Sequence, residues 1–247
     1  MKLPVFKSIG RLFRVIAKPW WMTHDEIDQF QPLSRIVHAC RIACVICIWG
    51  YSGIIATANA APKPVTLVAL GDSLTAGYGL AQSEAFPVVL EKRLKELGLE
   101  VTVINGGVSG DTASGGLERL DWTVPEGTHG VIVELGANDA LRGIDPVITR
   151  ESLKKIIQSL QTRGIRVMLA GMLAPRNMGA GYAAAFDAIY PALAAEFNIP
   201  LYPFFLDGIA ADPTLLLPDG LHPTAAGVER IVSKMLPSVQ TFVMSIP

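Results

Sequence analysis

Four short polar clusters in this sequence hold the residue types that acyl-transfer chemistry needs. They are Gly71-Asp72-Ser73-Leu74-Thr75, residues 105–112, Gly136-Ala137-Asn138-Asp139 and Asp219-Gly220-Leu221-His222-Pro223. A serine hydroxyl becomes a nucleophile when a nearby base removes its proton, and amide groups can stabilise the oxyanion that forms. Together the clusters offer a nucleophile, a base, an acid to orient the base, and oxyanion donors.

Ser73 is the best candidate for the nucleophile. It follows an apolar run and precedes a glycine-rich turn, so its hydroxyl can project from a strand-to-helix junction. Taken alone, Gly-Asp-Ser is equally typical of a turn or a helix N-cap. Ser109 is a weaker rival, because Asp111 stands where the Gly-x-Ser-x-Gly pattern of another hydrolase fold requires its second glycine.

The second and third clusters are candidates for oxyanion donors. The glycines of residues 105–112 permit positive φ and a close approach of backbone N–H groups, although glycines also simply make turns. The Asn138 side-chain amide can donate a hydrogen bond into a pocket, and it can equally form an Asx-turn. Neither cluster decides between these interpretations alone.

His222 is the candidate base. Asp219 precedes it by three residues, so the carboxylate can curl back and hold one ring nitrogen, which leaves the other nitrogen free. Residues 61–247 contain one other histidine, His129. It precedes the third predicted strand, at the opposite end of the sheet from the clusters, and we interpret it as structural.

Alternating apolar segments predict the elements that position these clusters. Strands are expected at 65–70, 101–104, 131–135, 166–170 and 200–204, and helices at 83–97, 113–120, 149–162, 182–197 and 225–236. We expect the helix over 182–197 to break near Pro191, and the proline-flanked fifth strand to lie at an edge. The alternation predicts a single-domain, three-layer α/β sandwich, in which helices cover both faces of a mainly parallel five-stranded sheet. Ligands of such folds bind at the carboxyl ends of the strands, where the clusters lie.

The amino-terminal region has the composition of a secretory signal peptide. Residues 42–62 carry no charge, Arg35 and Arg41 precede them, and the stretch holds Ala58-Asn59-Ala60. We predict cleavage near Ala60, which divides the chain into a leader (1–60) and a hydrolase domain (61–247), and a periplasmic or secreted location. An alternative is an uncleaved membrane anchor over residues 42–62. Another is that translation starts at Met22.

Charge and cysteine content exclude some classes of function. Residues 61–247 hold 19 acidic and 14 basic side chains, a net charge of about −5, which argues against nucleic acid as a partner. The cysteines Cys40, Cys44 and Cys47 all fall in the apolar leader, which is a poor setting for zinc thiolates.

The four clusters, in this order, resemble those of the GDSL or SGNH hydrolase superfamily, named for Ser, Gly, Asn and His. The matching blocks are Gly71-Asp72-Ser73-Leu74, Gly110, Gly136-x-Asn138-Asp139 and Asp219-x-x-His222, within a resemblance from about Val65 to Leu236. The sequences of residues 109–112, 133–143 and 203–205 are most similar to those of the bacterial periplasmic group of acyl-CoA thioesterase I, arylesterase and lysophospholipase. Ala137 and the loop 173–179 depart from that group.

The resemblance implies a fold, a site and an activity. The fold would be SGNH or flavodoxin-like, with Ser73, Asp219 and His222 as catalytic residues. The N–H groups of Ser73 and Gly110 and the Asn138 side chain would form the oxyanion hole. The implied activity is hydrolysis of small-molecule acyl esters and thioesters through an acyl-enzyme, with no metal or organic cofactor. Contact with a membrane would occur only through the leader or a lipid substrate.

Two alternatives remain open at this stage. One is a carbohydrate or peptidoglycan O-acetyl esterase, and the other is a non-catalytic ligand-binding protein. Apolar loop residues favour an acyl chain over a sugar, although they are also typical of a core; they are Met172, Leu173, Met178 and Tyr182. The intact Ser73, Asp219 and His222 argue against a non-catalytic protein.

Overall fold

The computed structural model describes residues 64–210 and 212–247. The leader predicted over residues 1–60, its three cysteines and the alternative start at Met22 lie outside the described residues. Within the described part of the chain, no helix is long and apolar enough to cross a membrane.

Five strands and nine α-helices alternate along the described residues. The strands are β1 (Val65–Gly71), β2 (Val101–Gly107), β3 (Gly130–Glu134), β4 (Arg166–Ala170) and β5 (Leu201–Tyr202). The helices are α1 (Ser73–Ala76), α2 (Phe86–Glu96), α3 (Ala113–Glu118), α4 (Leu120–Thr123), α5 (Ala137–Leu141), α6 (Pro146–Thr162), α7 (Ala180–Asp187), α8 (Ile189–Phe197) and α9 (Ala225–Met244). Short 3₁₀ turns occur at Gln82–Glu84, Arg176–Met178 and Pro213–Leu215.

The sheet is parallel throughout, in the order β2-β1-β3-β4-β5. The chain leaves β1 to build β2 on one side and then returns to build β3 on the other. This change of direction leaves a crevice at the carboxyl ends of β1 and β3, where ligands of such sheets bind. Helices flank the sheet, with α2 packed against α9 and α6 packed against α3 and α8. The predicted α/β sandwich is confirmed.

The core lies on the central strands because both faces of those strands are covered. Residues 67–70 of β1 and 131–133 of β3 have no exposed surface. Their continuous apolar runs are typical of buried parallel strands. From α2, Phe86 is fully buried and meets Phe205 edge-on, with ring centroids 4.9 Å apart. The central strands therefore form a rigid base for the loops that follow them.

Strand β5 is at an edge, as predicted, but it is shorter than residues 200–204. It pairs with β4 only through Leu201 and Tyr202. Pro200 and Pro203 flank this pair, and neither has an N–H to extend the ladder. The prediction of an edge position is correct, and that of its length is wrong.

Several predicted helix boundaries are wrong. The break expected near Pro191 is confirmed: it falls at Ala188, and Pro191 lies in the first turn of α8, where a helix needs no N–H donor. Helix α9 continues through Pro237 to Met244 instead of ending at 236, and it buries Val239 and Phe242 beyond that proline. Helix α6 begins at Pro146, with the Asp145 side chain accepting from Val147 N. The short helix α5 was not predicted.

Candidate active site

Ser73 is the first residue of α1, directly after β1. The Asp72 side chain caps this helix and accepts from Leu74 N at 3.0 Å. Gly71 allows the tight turn, because a Cβ there would collide with Thr75 and with the Glu134 carboxyl. The turn leaves Ser73 9% exposed, at the carboxyl edge of the sheet.

Asp219 and His222 lie in a closed loop before α9. Leu217 N donates to His222 O at 2.7 Å, and Leu216 and Pro223 form an antiparallel bridge. Asp219 Oδ1 accepts from His222 N at 3.0 Å, while Oδ2 lies 2.7 Å from His222 Nδ1. The spacing of three residues therefore produces the curl that the sequence predicts.

The loop brings His222 to Ser73 across 149 residues of sequence. His222 Nε2 lies 2.9 Å from Ser73 Oγ. Asp219, His222 and Ser73 therefore form one continuous relay, with a base in reach of a hydroxyl and a carboxylate behind the base. This is the geometry in which a serine hydroxyl can be activated for attack.

Asp219 is ionised in this relay. The backbone N–H groups of His222 and Leu221 and the His222 side chain lower the pKa of Asp219 to about 2. Its side chain is 37% exposed, so solvent also stabilises the charge. An ionised Asp219 favours the tautomer with a proton on Nδ1, which presents the lone pair of Nε2 to Ser73.

The predicted oxyanion donors lie just after three neighbouring strands: Ser73 after β1, Gly110 after β2 and Asn138 after β3. Gly110, on the loop after β2, has φ of 86°, and Arg142 Nη2 donates to its carbonyl at 2.8 Å. Asn138 lies in α5, and its Nδ2 donates to Asp72 Oδ2 at 3.1 Å. One hydrogen of that amide is thus occupied, and the other meets no acceptor among the described residues. The N–H groups of Ser73 and Gly110 donate to no acceptor among the described residues.

The profile of the GDSL-like lipase/acylhydrolase family matches residues 69–230, a span that includes the whole relay. The chain belongs to this family. Three curated relatives are similar to this GDSL hydrolase. Esterase TesA of Pseudomonas aeruginosa is 37% identical over 71% of this chain and 88% of its own length. An arylesterase of Vibrio mimicus is 42% identical over 64% and 79%. Thioesterase 1/protease 1/lysophospholipase L1 of Escherichia coli K12 is 38% identical over 72% and 85%.

Solved structures agree with this family membership. The SGNH-hydrolase family esterase AlinE4 is 44% identical, with a TM-score of 0.62 over 72% of this chain and 96% of that one. The crystal structure of TesA is 36% identical, with a TM-score of 0.68 over 72% and 99%. The resemblance noted from the sequence is therefore confirmed, and this GDSL hydrolase is an ester-cleaving enzyme.

An apolar cavity of about 230 Å³ opens beside Ser73 and His222. Asn138 also lines it, so the polar groups stand at one end of a mostly hydrophobic recess. The apolar walls come from α5 and from the loops after β4 and β5, and include Ala137, Leu141, Met172, Leu173, Pro175, Phe204 and Leu206. Such a recess suits the hydrocarbon part of an acyl substrate.

A larger cavity, of about 370 Å³, lies at the other end of the sheet, where the strands begin, near Val65 and Ile246. The described residues that line it include no serine, threonine or cysteine. His129 borders it, and its Nδ1 accepts from Thr66 N at 3.0 Å. This contact ties the residue before β3 to β1, away from the relay, as expected of a structural histidine.

Two of the four apolar loop residues named from the sequence line the cavity of the GDSL hydrolase, and two do not. Met172 and Leu173 are at its wall. Met178 and Tyr182 are not among the lining residues, and the Tyr182 hydroxyl instead donates to Ile144 O at 2.8 Å. Tyr182 therefore ties α7 to the loop before α6, so the structural one of the two interpretations given above holds for this residue.

A buried carboxyl pair, Asp72 and Glu134, lies beneath Ser73 and is not predicted from the sequence. Glu134, at the end of β3, has no exposed surface, and its Oε2 accepts from Thr75 Oγ1 at 2.7 Å and from Asp72 N at 3.4 Å. Burial, and then the charge of Asp72, raise the pKa of Glu134 well above its usual range. Asp72 accepts from Leu74 N and Asn138 Nδ2, which stabilise its charged form, so we assign the proton to Glu134.

Other polar residues of the clusters brace the loops of the site. Asp139 is fully buried and accepts from Ala113 N and from Thr149 Oγ1, both at 2.9 Å. Arg119 pairs with Asp111 and donates to Gly71 O and Gly106 O at 2.8 Å each. The described residues contain no group of three or more His, Cys, Asp or Glu side chains placed to hold a metal ion.

Proposed function

We propose that this GDSL hydrolase cleaves acyl esters and thioesters through an acyl-enzyme on Ser73, with His222 as general base and Asp219 as the residue that orients it. The observation that carries the proposal is the relay of hydrogen bonds, 2.7 Å from Asp219 to His222 and 2.9 Å from His222 to Ser73, at the mouth of an apolar cavity.

Acylation begins when Ser73 Oγ attacks the carbonyl carbon of the substrate and its proton moves to His222 Nε2. The ionised Asp219 stabilises the imidazolium, because it already holds Nδ1 at 2.7 Å. The proton then passes from Nε2 to the alkoxide or thiolate that leaves. The products of this half-reaction are an alcohol or thiol and an acyl group on Ser73.

Three donors stabilise the oxyanion of the tetrahedral intermediate. They are the N–H groups of Ser73 and Gly110 and the second hydrogen of the Asn138 amide. Deacylation repeats the steps with water: its proton moves to His222 Nε2, its oxygen attacks the acyl carbon, and the proton returns to Ser73 Oγ as the carboxylic acid leaves. Side chains and backbone supply every group that these steps use.

The cavity favours substrates with a hydrocarbon chain. Its walls are aliphatic or aromatic beyond the polar end, so an acetyl group alone would leave most of the apolar surface without contacts. The names of the relatives, which include arylesterase, thioesterase and lysophospholipase, fit a pocket that recognises the acyl chain more than the leaving group. We therefore infer broad selectivity for the leaving group.

We also propose that the enzyme acts outside the cytoplasm. The positive flank, the charge-free stretch 42–62 and Ala58-Asn59-Ala60 support export with cleavage near Ala60. Mass spectrometry of the protein from a periplasmic or culture fraction would test this. A mature amino terminus near Ala61 supports it, whereas an intact amino terminus in the membrane fraction supports the anchor over residues 42–62.

The experiment that tests the activity is a series of p-nitrophenyl esters from acetyl to palmitoyl, measured with the purified full-length protein. We expect kcat/KM to rise from acetyl to medium chains, and Ser73→Ala to lose on the order of 10⁴-fold or more in kcat. Ser109→Ala, which removes the rival serine, is the matched control and should stay within a few-fold of wild type. A fluorophosphonate should label wild type and Ser109→Ala but not Ser73→Ala.

Each outcome separates the alternatives. Cleavage of acetyl esters alone would favour an O-acetyl esterase and overturn the inferred acyl-chain substrate. Equal activity of wild type and Ser73→Ala would show that Ser73 is not the nucleophile. A wild-type protein that cleaves no ester and takes no fluorophosphonate would overturn the proposed mechanism altogether.

A further inference from the structure

Tyr78 lies against the ring of the proposed base. The centroid of its ring is 4.5 Å from that of the His222 imidazole, and the two planes are tilted by 36°. Tyr78 is 53% exposed, so its position is not explained by burial in the core. Neither the sequence motifs nor the relay assigns this residue a part in the reaction.

The backbone of Tyr78 is tied to the nucleophile. Tyr78 N and Gly77 N both donate to Ser73 O at 3.1 Å, and Gly77 adopts the left-handed conformation that ends α1, with φ of 84°. The following Gly79 lies close to Leu217, whose N–H donates to His222 O. The turn therefore connects the Ser73 helix to the His222 loop.

The contact is with the ring of the imidazole and not with the nitrogens that the relay uses. Both ring nitrogens of His222 are engaged at their edges, Nδ1 with Asp219 and Nε2 with Ser73. The face of the ring has no part in those hydrogen bonds, and Tyr78 packs against it. The side chain of His222 is 18% exposed with Tyr78 in place.

We propose that Tyr78 is a positioning residue for the base: its ring holds the His222 imidazole between Asp219 and Ser73 and stabilises the imidazolium formed when Ser73 gives up its proton. The inference rests on the proposed function of His222. A cation facing an aromatic ring within about 6 Å of its centroid is attracted to the ring, and neutral imidazole gains less. The contact therefore strengthens as the transition state is approached.

Other charges also act on the His222 ring. Asp219 contacts the ring from the same loop, and the charge of Asp72, in the turn between β1 and α1, interacts electrostatically with the ring. Asn138 of α5 lines the same cavity but is neutral. Both aspartates remain when Tyr78 is replaced. Burial raises the pKa of Asp72 to about 6, so its charge changes with pH in every variant alike, and the effect of the aromatic ring is the difference between variants at the same pH.

The test compares Tyr78→Phe, Tyr78→Leu and Trp122→Leu in the full-length protein. Phenylalanine keeps the aromatic face, leucine keeps only apolar bulk, and Trp122 is an 84% exposed aromatic residue on α4 that serves as a control. We expect Tyr78→Leu to lose roughly three- to tenfold in kcat and in the rate of fluorophosphonate labelling. Its KM should stay within about twofold, because Tyr78 does not line the acyl cavity. Tyr78→Phe and Trp122→Leu should match wild type within about twofold.

The pH profile separates stabilisation of the imidazolium from a purely structural role. Without the ring the protonated base is less stable, so the acid limb of kcat/KM in Tyr78→Leu should move about 0.5–1 pH unit lower. An unchanged acid limb, or an equal loss in Tyr78→Phe, overturns the proposal. Wild-type activity in Tyr78→Leu overturns it as well. Failure of the proposed function would look different, because Ser73→Ala would then retain activity.

Discussion

Two acidic regions flank Ser73, and their surroundings favour opposite protonation states of the carboxyl groups. On the solvent side, Asp219 is 37% exposed and accepts hydrogen bonds from His222 and Leu221. On the core side, Glu134 is fully buried beneath the turn, and its Oε1 has no hydrogen-bond partner among the described residues. One carboxyl group is held as an anion and the other as an acid.

The difference shows that the local environment decides whether a carboxyl group is charged or neutral, and therefore which role it has. Three donors and open solvent stabilise the charge of Asp219, which the relay needs beside His222. Burial and the neighbouring Asp72 disfavour a charge on Glu134, so it serves as a neutral brace between β3 and the Ser73 turn. Asp219 should therefore matter for rate and Glu134 for stability, and three of the four predictions below test that division.

The largest effect is expected for Asp219→Asn on turnover. Asparagine can still meet Nδ1, but it no longer selects the tautomer with a free Nε2 and cannot stabilise the imidazolium by charge. We expect kcat to fall on the order of 10⁴-fold on a medium-chain p-nitrophenyl ester. A loss below tenfold would mean that the loop backbone alone orients His222. The charge of Asp219 would then not be needed for catalysis.

The second effect is that of Asn138→Ala. It removes one oxyanion donor and leaves Ser73, His222 and Asp219 in place, so kcat should fall on the order of 10²–10³-fold with little change in KM. The same ester assay measures it. A loss under about threefold would make Asn138 a turn residue only, and its hydrogen bond to Asp72 would then be structural.

Much of the site was readable from the sequence because its geometry is local. Asp219 and His222 are three positions apart, and the other three clusters directly follow β1, β2 and β3, so the parallel topology brings those three to one end of the sheet. The pairing of Glu134 with Thr75 and Asp72 joins residues about 60 positions apart. No spacing between residues predicts this long-range contact. The one signal in the sequence is a glutamate at the end of an otherwise apolar strand.

The fold shows the same limit. The strands were readable because their apolar runs are continuous, and their parallel arrangement follows from their alternation with helices. Helix ends were less readable, as Pro237 shows, because a proline normally ends or kinks a helix. Burial of Val239 and Phe242 keeps α9 intact there, and this tertiary packing is not apparent from local sequence.

The third prediction concerns stability and pH. Unfolded Glu134 releases its proton near pH 4.3, whereas the buried residue keeps it to higher pH, so its contribution is complete below pH 4.3 and is lost as pH rises through the raised pKa. The free energy of unfolding should fall by at most about 1.4 kcal/mol per pH unit from this group. Urea unfolding between pH 4 and 8 should show Glu134→Gln gaining stability relative to wild type as pH rises. A constant difference across that range would contradict a protonated Glu134.

The smallest effect is expected for Asp219→Asn on stability. The depressed pKa of Asp219 gives a contribution that is present above about pH 3.9 and is lost as pH falls towards 2, the opposite sign to Glu134. Because the side chain is exposed and the asparagine oxygen can still accept from Leu221 and His222, the cost at pH 7 should stay below about 1 kcal/mol. Urea unfolding at pH 7 and pH 3 measures it, and the difference from wild type should shrink at the lower pH. The variant that nearly abolishes turnover would then be almost as stable as wild type, whereas a loss of several kcal/mol would show that the loop 217–223 depends on this charge to fold.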